Sequence, residues 1–316
     1  MPQARASSDW PALPYAEWRD TLQTLQLWTQ VVGKIRLGGT PWENHSWHVT
    51  FYVSARGLST GLIPSPDALD VEFDFVAQQL RLRTVAGQMR EIPLVPQTVS
   101  AFYAQVDQAL EQVGCPVRIV PLPNEIPQAI PFDKDSVHRA YDGAAATRFW
   151  RALVQMERVF QAFRTRFIGK CSPIHFFWGS FDLAVTRFSG RPAPPHPGGV
   201  PGLPDAVTRE AYSHEVSSAG FWPGGGAIDY PAFYSYAYPS PPGFGEARVR
   251  PAEARFDKTL GEFLLPYDAV RTAASPDDTL LDFLQSTYEA AATLGKWDRA
   301  ALDVPQGQIG IPRRVG

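Results

Sequence analysis

The sequence predicts an α+β fold, with two similar helix–strands–helix lobes, each built on a mainly antiparallel sheet, packed into one globular unit. Three observations lead there. Apolar residues recur at helical spacing over Trp18–Val32, Val99–Val113, Phe149–Phe167 and Leu280–Leu294. Between these stripes lie short runs rich in β-branched and aromatic residues, which suit a pleated, half-buried surface. The order helix, strands, helix occurs twice along the chain.

The first lobe is placed at 10–130 and the second at 131–302, with a disordered start at 1–9 and a polar tail at 303–316. Trp18, Leu22, Leu25, Thr29 and Val32 mark a first helix that Gly33 can close. SWHVTFYVSA then reads as a strand, as do Leu58–Ile63, Leu69–Val76 and Leu80–Val85. In VEFDFV, Val71, Phe73 and Phe75 alternate with Glu72 and Asp74, so the acidic face is expected to meet water. A helix through Phe102, Val106 and Leu110 ends at Gly114, and Val117–Val120 reads as a short strand.

The second lobe opens on the clearest helix, with Phe149, Leu153, Met156, Phe160, Phe163 and Phe167 on one stripe. PIHFFWGSFDLAVTRF is too long for one ordinary strand, so Gly179-Ser180 should form a hairpin turn or bulge. The Pro/Gly-rich loop 190–206 suits either a fixed wall over a pocket or a structural Ω-type loop. Strands follow at His214–Trp222, Phe233–Tyr238 and Glu262–Leu265. Ser275-Pro276-Asp277-Asp278 opens the last helix: a capping residue, proline in the first turn, then acids at the positive end of the dipole.

Composition narrows the function classes. The 316 residues include 9 Trp, 11 Tyr and 19 Phe, enough for a large core that needs no disulfide framework from Cys115 and Cys171. The 30 prolines, set among so many aromatics, imply long but ordered loops. A net charge of −3, with no cluster of Lys and Arg, argues against a nucleic-acid partner. No apolar run approaches the ~18 residues of a membrane span. The opening MPQARASSDWPALP has no apolar segment of a secretory signal, which leaves the cytoplasm as the expected location.

Familiar catalytic motifs fail on inspection. His214-Glu215 begins like a zinc-protease helix, but Ser218 stands where the second histidine is required. Gly224-Gly225-Gly226 is followed by Ala227 and Ile228, not by the Lys-Ser/Thr of a phosphate loop, and Trp178-Gly179-Ser180-Phe181 lacks the second glycine of a nucleophile elbow. What remains is titratable residues embedded in aromatic strand sequence. His175 and His214 are candidate catalytic bases or metal ligands, with Asp182 or Glu215 to orient them. His48, Arg187, Arg191, Trp222 and Tyr236 are candidate substrate-binding residues, the arginines for an anionic group. Asp182, between Phe181 and Leu183, needs a partner if ionised, and Arg187 is the expected one. Two readings stay open: an enzyme acting on a small polar or anionic substrate, with or without a metal, and a non-catalytic small-molecule-binding or scaffold protein with an aromatic cavity. The cofactor is unknown on either reading.

The strings KCSPIHFFWGSFDLAVTRFSGR, APPHPGGVP, YSHEVSSAGFWPGGG, GEFLLPYDAVR and FLQSTYEAAA, with HSWHVTFYVSARGLSTGLIP in the first half, resemble the bacterial family known as domain of unknown function 5996. The resemblance runs from about Trp10 to Leu302. It implies a soluble bacterial protein folding as one unit, and it brings no activity, cofactor or catalytic residue with it.

Overall fold

The computed structural model describes residues 9–64 and 67–313, so nearly all of the start expected to be disordered lies outside the described residues. Helix α1 (Tyr15–Gly39) leads to a 3-10 turn at Asn44–Val49 and then to the strands β1 (Tyr52–Val53), β2 (Gly57–Ile63), β3 (Leu69–Asp74), β4 (Gln79–Thr84) and β5 (Met89–Pro93). These form a five-stranded antiparallel sheet in sequence order, closed by α2 (Val99–Gln112), whose capping Thr98 accepts from the Ala101 amide at 3.1 Å.

The same order then recurs. Helix α3 (Gly143–Arg164), capped by the Asp142 carboxylate, precedes β6 (His175–Phe177), β7 (Asp182–Pro192), α4 (Asp205–Ala211), β8 (His214–Trp222), β9 (Ala232–Tyr238), β10 (Arg255–Asp257) and β11 (Glu262–Pro266). The short α5 (Tyr267–Arg271), the long α6 (Pro276–Leu294) and α7 (Arg299–Leu302) complete the chain. The second sheet is antiparallel in the order β10-β11-β9-β8-β7-β6. The protein is thus α+β with two antiparallel sheets. Reciprocal bonds between Phe51 and Phe176, 2.9 and 2.8 Å, tie the rim of one sheet to the edge of the other.

One apolar core runs through both halves, from Trp18 and Trp28 on α1 through Phe73 and Phe149 to Phe283 on α6. α6 packs on β8 and β9 and also on α3, where Arg158 pairs with Asp277. Because side chains alternate along a strand, this packing divides β7 in two. Leu183, Val185 and Arg187 face the helices, while Asp182, Ala184, Thr186 and Phe188 face the other way, into a cavity.

Several local expectations are corrected. Gly33 does not end α1; it lies against the Trp178 indole, and a Cβ there would stand 2.3 Å from the ring, so this glycine serves close packing. Most of SWHVTFYVSA is not a strand. The His45 amide donates to the Glu210 carboxylate at 2.8 Å and the Val49 carbonyl accepts from Trp178 Nε1 at 2.7 Å, so side chains take the backbone groups a ladder would use. Val117–Val120 is irregular, with the end of α1 at Gly38 beside Val117 in place of a strand. The acidic face of β3 does not meet water. Arg56 and Arg81 cover Asp74, and Arg83 reaches Glu72 at 2.7 Å, so both carboxylates are buried beneath guanidinium groups. The Gly179-Ser180 turn does join β6 and β7 as a hairpin.

Candidate functional site

Three loops close over the outward face of β6, β7, β8 and β9 to enclose a cavity of about 570 Å³. Its floor is the sheet: His175 and Phe177 from β6, Asp182 and Thr186 from β7, Ser218 from β8, Tyr234 and Tyr236 from β9. Its walls are the turn carrying Trp42, His45 and Trp47, the segment around Asn124 and Glu125, and the Pro/Gly-rich stretch through Val200, Leu203 and Pro204 into α4. That stretch is fixed in place. Pro201 accepts from the Glu125 amide at 2.8 Å, Tyr238 donates to the Pro194 carbonyl at 3.0 Å, and His196 stacks on Tyr212 at 4.8 Å.

Helix α1 fixes the remaining wall with a polar stripe at steps of four, which one helix face requires. Gln26 donates to the Gly179 carbonyl at 2.9 Å, Gln30 exchanges bonds of 2.9 and 2.7 Å with the Asn124 backbone, and Lys34 donates to the Asn124 side chain. The ammonium of Lys34 also lies over the Trp178 ring, 5.8 Å from its centroid. No carboxylate among the described residues pairs with it, and burial alone lowers its pKa to about 8.

Asp182 is the most deeply set acid of the cavity, 4% exposed. Ser180 and Tyr234 donate their hydroxyls to its two oxygens. Burial outweighs both bonds and pushes the pKa up to about 6. Glu125 is raised to about 7, by burial first and then by the Asp182 charge, and is held in a left-handed backbone conformation, φ 60°. In β11, Glu262 is raised to about 8 by burial and by the same neighbour, and its Oε2 has no bonding partner. The floor also carries paired hydroxyls, Thr186 with Ser218 and Tyr212 with Tyr236, each at 2.8 Å.

The His175 side chain is fully buried, lines the cavity and has no hydrogen-bond partner among the described residues at Nδ1, which is wholly enclosed. Burial, then the Arg36 and Arg164 charges, drive its pKa down to about 3, so it is a neutral imidazole near pH 7 whose Nε2 is left to meet a ligand, as donor or acceptor according to the tautomer. His45 sits at the rim in a left-handed conformation, φ 59°. Its Nδ1 donates to the Ala211 carbonyl at 2.9 Å, so its Nε2 accepts from Lys170 at 2.6 Å.

The residues singled out from sequence therefore separate into groups. His175, Asp182 and Tyr236 share the cavity. His214 stands behind its wall, its ring 6.1 Å from that of His45 and its Nδ1 3.1 Å from the Ser213 hydroxyl. His48 packs at a tilt against Trp42, ring centroids 4.6 Å apart, and accepts from the Glu43 amide, outside the cavity lining. Trp222 packs at a tilt on Tyr234, ring centroids 4.5 Å apart, and lines a second cavity. Glu215 pairs with Arg191 at 2.6 Å, and Arg191 also caps the end of α6 at the Gly295 and Lys296 carbonyls.

Arg187 does not partner Asp182. Five residues apart on one strand, the two side chains point to opposite faces. The Arg187 guanidinium is buried among Phe163 and Tyr288, 3.5 and 4.2 Å from their ring centroids. Among the described residues, no group of three or more His, Cys, Asp and Glu side chains is arranged to hold a metal ion. Lys34 and Glu125 escaped the reading from sequence. The first could have been found, since Gln26, Gln30 and Lys34 interrupt the apolar stretch Leu25–Ile35 at steps of four. Glu125 is the one acid of PLPNEIPQAIPF, with no local pattern to say where that loop returns.

No helix among the described residues is long and apolar enough to cross a membrane. No curated protein and no solved structure matches the chain. A model for a family of unknown function, DUF5996, matches residues 10–304, and the chain belongs to that family.

Proposed function

We propose that this protein is an acid–base enzyme that encloses a small, partly aromatic organic molecule in the main cavity and moves a proton on it through Asp182. The surroundings of Asp182 carry this reading. A carboxyl covered by Tyr234 and Ser180, lining the cavity and pushed up to about 6, exchanges its proton close to neutrality, as an acid–base group must. Glu125 is a second such carboxyl, set beside the Gly179-Ser180 turn that bonds Asp182. His175 serves as a neutral hydrogen-bonding partner and not as the base, because its buried ring stays uncharged. Trp42, Trp47, Phe177 and Trp178 give flat apolar surfaces for an unsaturated ligand.

The competing reading is a non-catalytic binding protein, favoured by the same aromatic walls. Proton exchange separates the two. Compounds that quench the tryptophan fluorescence would be incubated with the protein in D2O and followed by NMR for exchange of carbon-bound hydrogens. The acid–base reading expects exchange that Asp182→Asn slows by about 10²–10⁴-fold while quenching persists. Binding with no exchange in the wild type, or equal exchange in both proteins, would refute it.

A further inference from the structure

The main cavity contains a cation that no acid among the described residues pairs with. Lys34 is 7% exposed, and its contacts are the Asn124 side-chain oxygen and the face of Trp178. A buried lysine in a ligand cavity serves either as a fixed charge for an anion or, as the free amine, as a nucleophile.

The surroundings decide between these roles. Interior anion sites gather several donors, such as arginine forks or helix N-terminal amides. Here Arg187 is turned to the helices and Arg191 is engaged at the end of α6. The groups that share the cavity with Lys34 include the carboxyls of Asp182 and Glu125, which repel an anion. The same carboxyls are the proton donors and acceptors that amine addition to a carbonyl requires.

We propose that Lys34 captures the carbonyl group of an aldehyde or ketone substrate as an imine. This rests on the reading of the cavity as an acid–base site and names the substrate class. The free Nζ lone pair adds to the carbonyl carbon, forming the C–N bond. The carbonyl oxygen takes a proton from a carboxylic acid, and the nitrogen returns one to the resulting carboxylate. A second proton delivered to the hydroxyl lets it leave as water, the C=N bond forms and the nitrogen loses its last proton. Amine and carbonyl thus become imine and water, with no oxidant or reductant consumed. Protonated again on nitrogen by a carboxylic acid, the imine becomes an iminium ion. Withdrawal of electrons into it makes a neighbouring C–H acidic enough for a carboxylate such as Asp182 to remove its proton, leaving a neutral enamine.

The test is reductive trapping on the full chain. The protein would be incubated with 4-hydroxybenzaldehyde and sodium cyanoborohydride, digested, and mapped by mass spectrometry over its five lysines. The expected result is one stoichiometric adduct at Lys34, formed roughly tenfold or more faster than at Lys134, Lys170, Lys258 or Lys296. Lys34→Arg and Lys34→Met would abolish it, and the wild-type comparison among sites does not depend on either variant folding. Tryptophan quenching by the same aldehyde, without the reductant, reports occupancy separately. Quenching with no preference for Lys34 would overturn the proposal and leave the cavity's binding role intact; absence of both would overturn both. Lys34-dependent binding of 4-hydroxybenzoate with no adduct from the aldehyde would identify a fixed charge and also overturn the proposal.

Discussion

Asp182 gives the most direct physical test of the site, because its burial can be weighed without knowing any ligand. Its carboxyl titrates near 3.8 in an unfolded chain and near 6 in the folded protein. At about 1.36 kcal/mol per pH unit, that gap makes the ionised side chain about 3 kcal/mol costlier to bury than the protonated one. The sign follows from proton counting. Between pH 4 and 6 the folded protein holds a proton on Asp182 that the unfolded chain has released, so this contribution to stability is complete below pH 4, falls as pH rises and is fully lost once pH passes 6. Asp182→Asn keeps the shape, leaves groups able to bond the Ser180 and Tyr234 hydroxyls, and removes the titration. Urea unfolding followed by tryptophan fluorescence from pH 4 to 8 should therefore show the wild type losing about 3 kcal/mol relative to the variant. Other acids titrate in both proteins and largely cancel in the difference. Parallel stability profiles, or a wild type that gains on the variant as pH rises, would show that the carboxyl is not buried as described, and the acid–base assignment would go with it.

Two further outcomes test the frame around the site. Gly33→Ala places a methyl 2.3 Å from the Trp178 indole, which bonds Val49 and backs the cavity, so overpacking should cost about 1–3 kcal/mol in urea unfolding and alter the tryptophan emission. Arg187 is a buried cation lying over Phe163 and Tyr288 with no acid paired to it among the described residues, so Arg187→Met should leave the midpoint of thermal unfolding within a few degrees of the wild type. Arg187→Lys should lower it by more, because an ammonium keeps the buried charge and loses the flat stacking surface.

What could be read from sequence was local. Ser275-Pro276-Asp277-Asp278 announces α6, and the alternation through Tyr234 and Tyr236 announces β9, because capping and pleating depend on neighbours in the chain. β5 and β10 gave no such signal: MREIP and RFD are short edge strands with few buried apolar positions. The site was half visible for the same reason. His175 and Asp182 stand out as polar residues in aromatic strands, and two-residue alternation was already enough to separate Asp182 from Arg187. The 3-10 turn at His45 reads as β-forming sequence because its conformation is set by Glu210, 165 residues away along the chain. Glu125 depends likewise on contacts with Gln30, through Asn124, and with Pro201, which no window around it contains.

Pro123, Glu125, Gly179 and Ser180 line the main cavity and also the second one, about 610 Å³, that Trp222 borders. The two chambers share a partition, and the partition carries a titrating carboxyl and abuts the turn that bonds Asp182. Ile126 and Gln128 line the second chamber on the far side of that partition, so the residues that bound one chamber also bound the other. Helix α1 holds the partition at Gly179 and Asn124 through two glutamines, so one helix face fixes the boundary of both chambers.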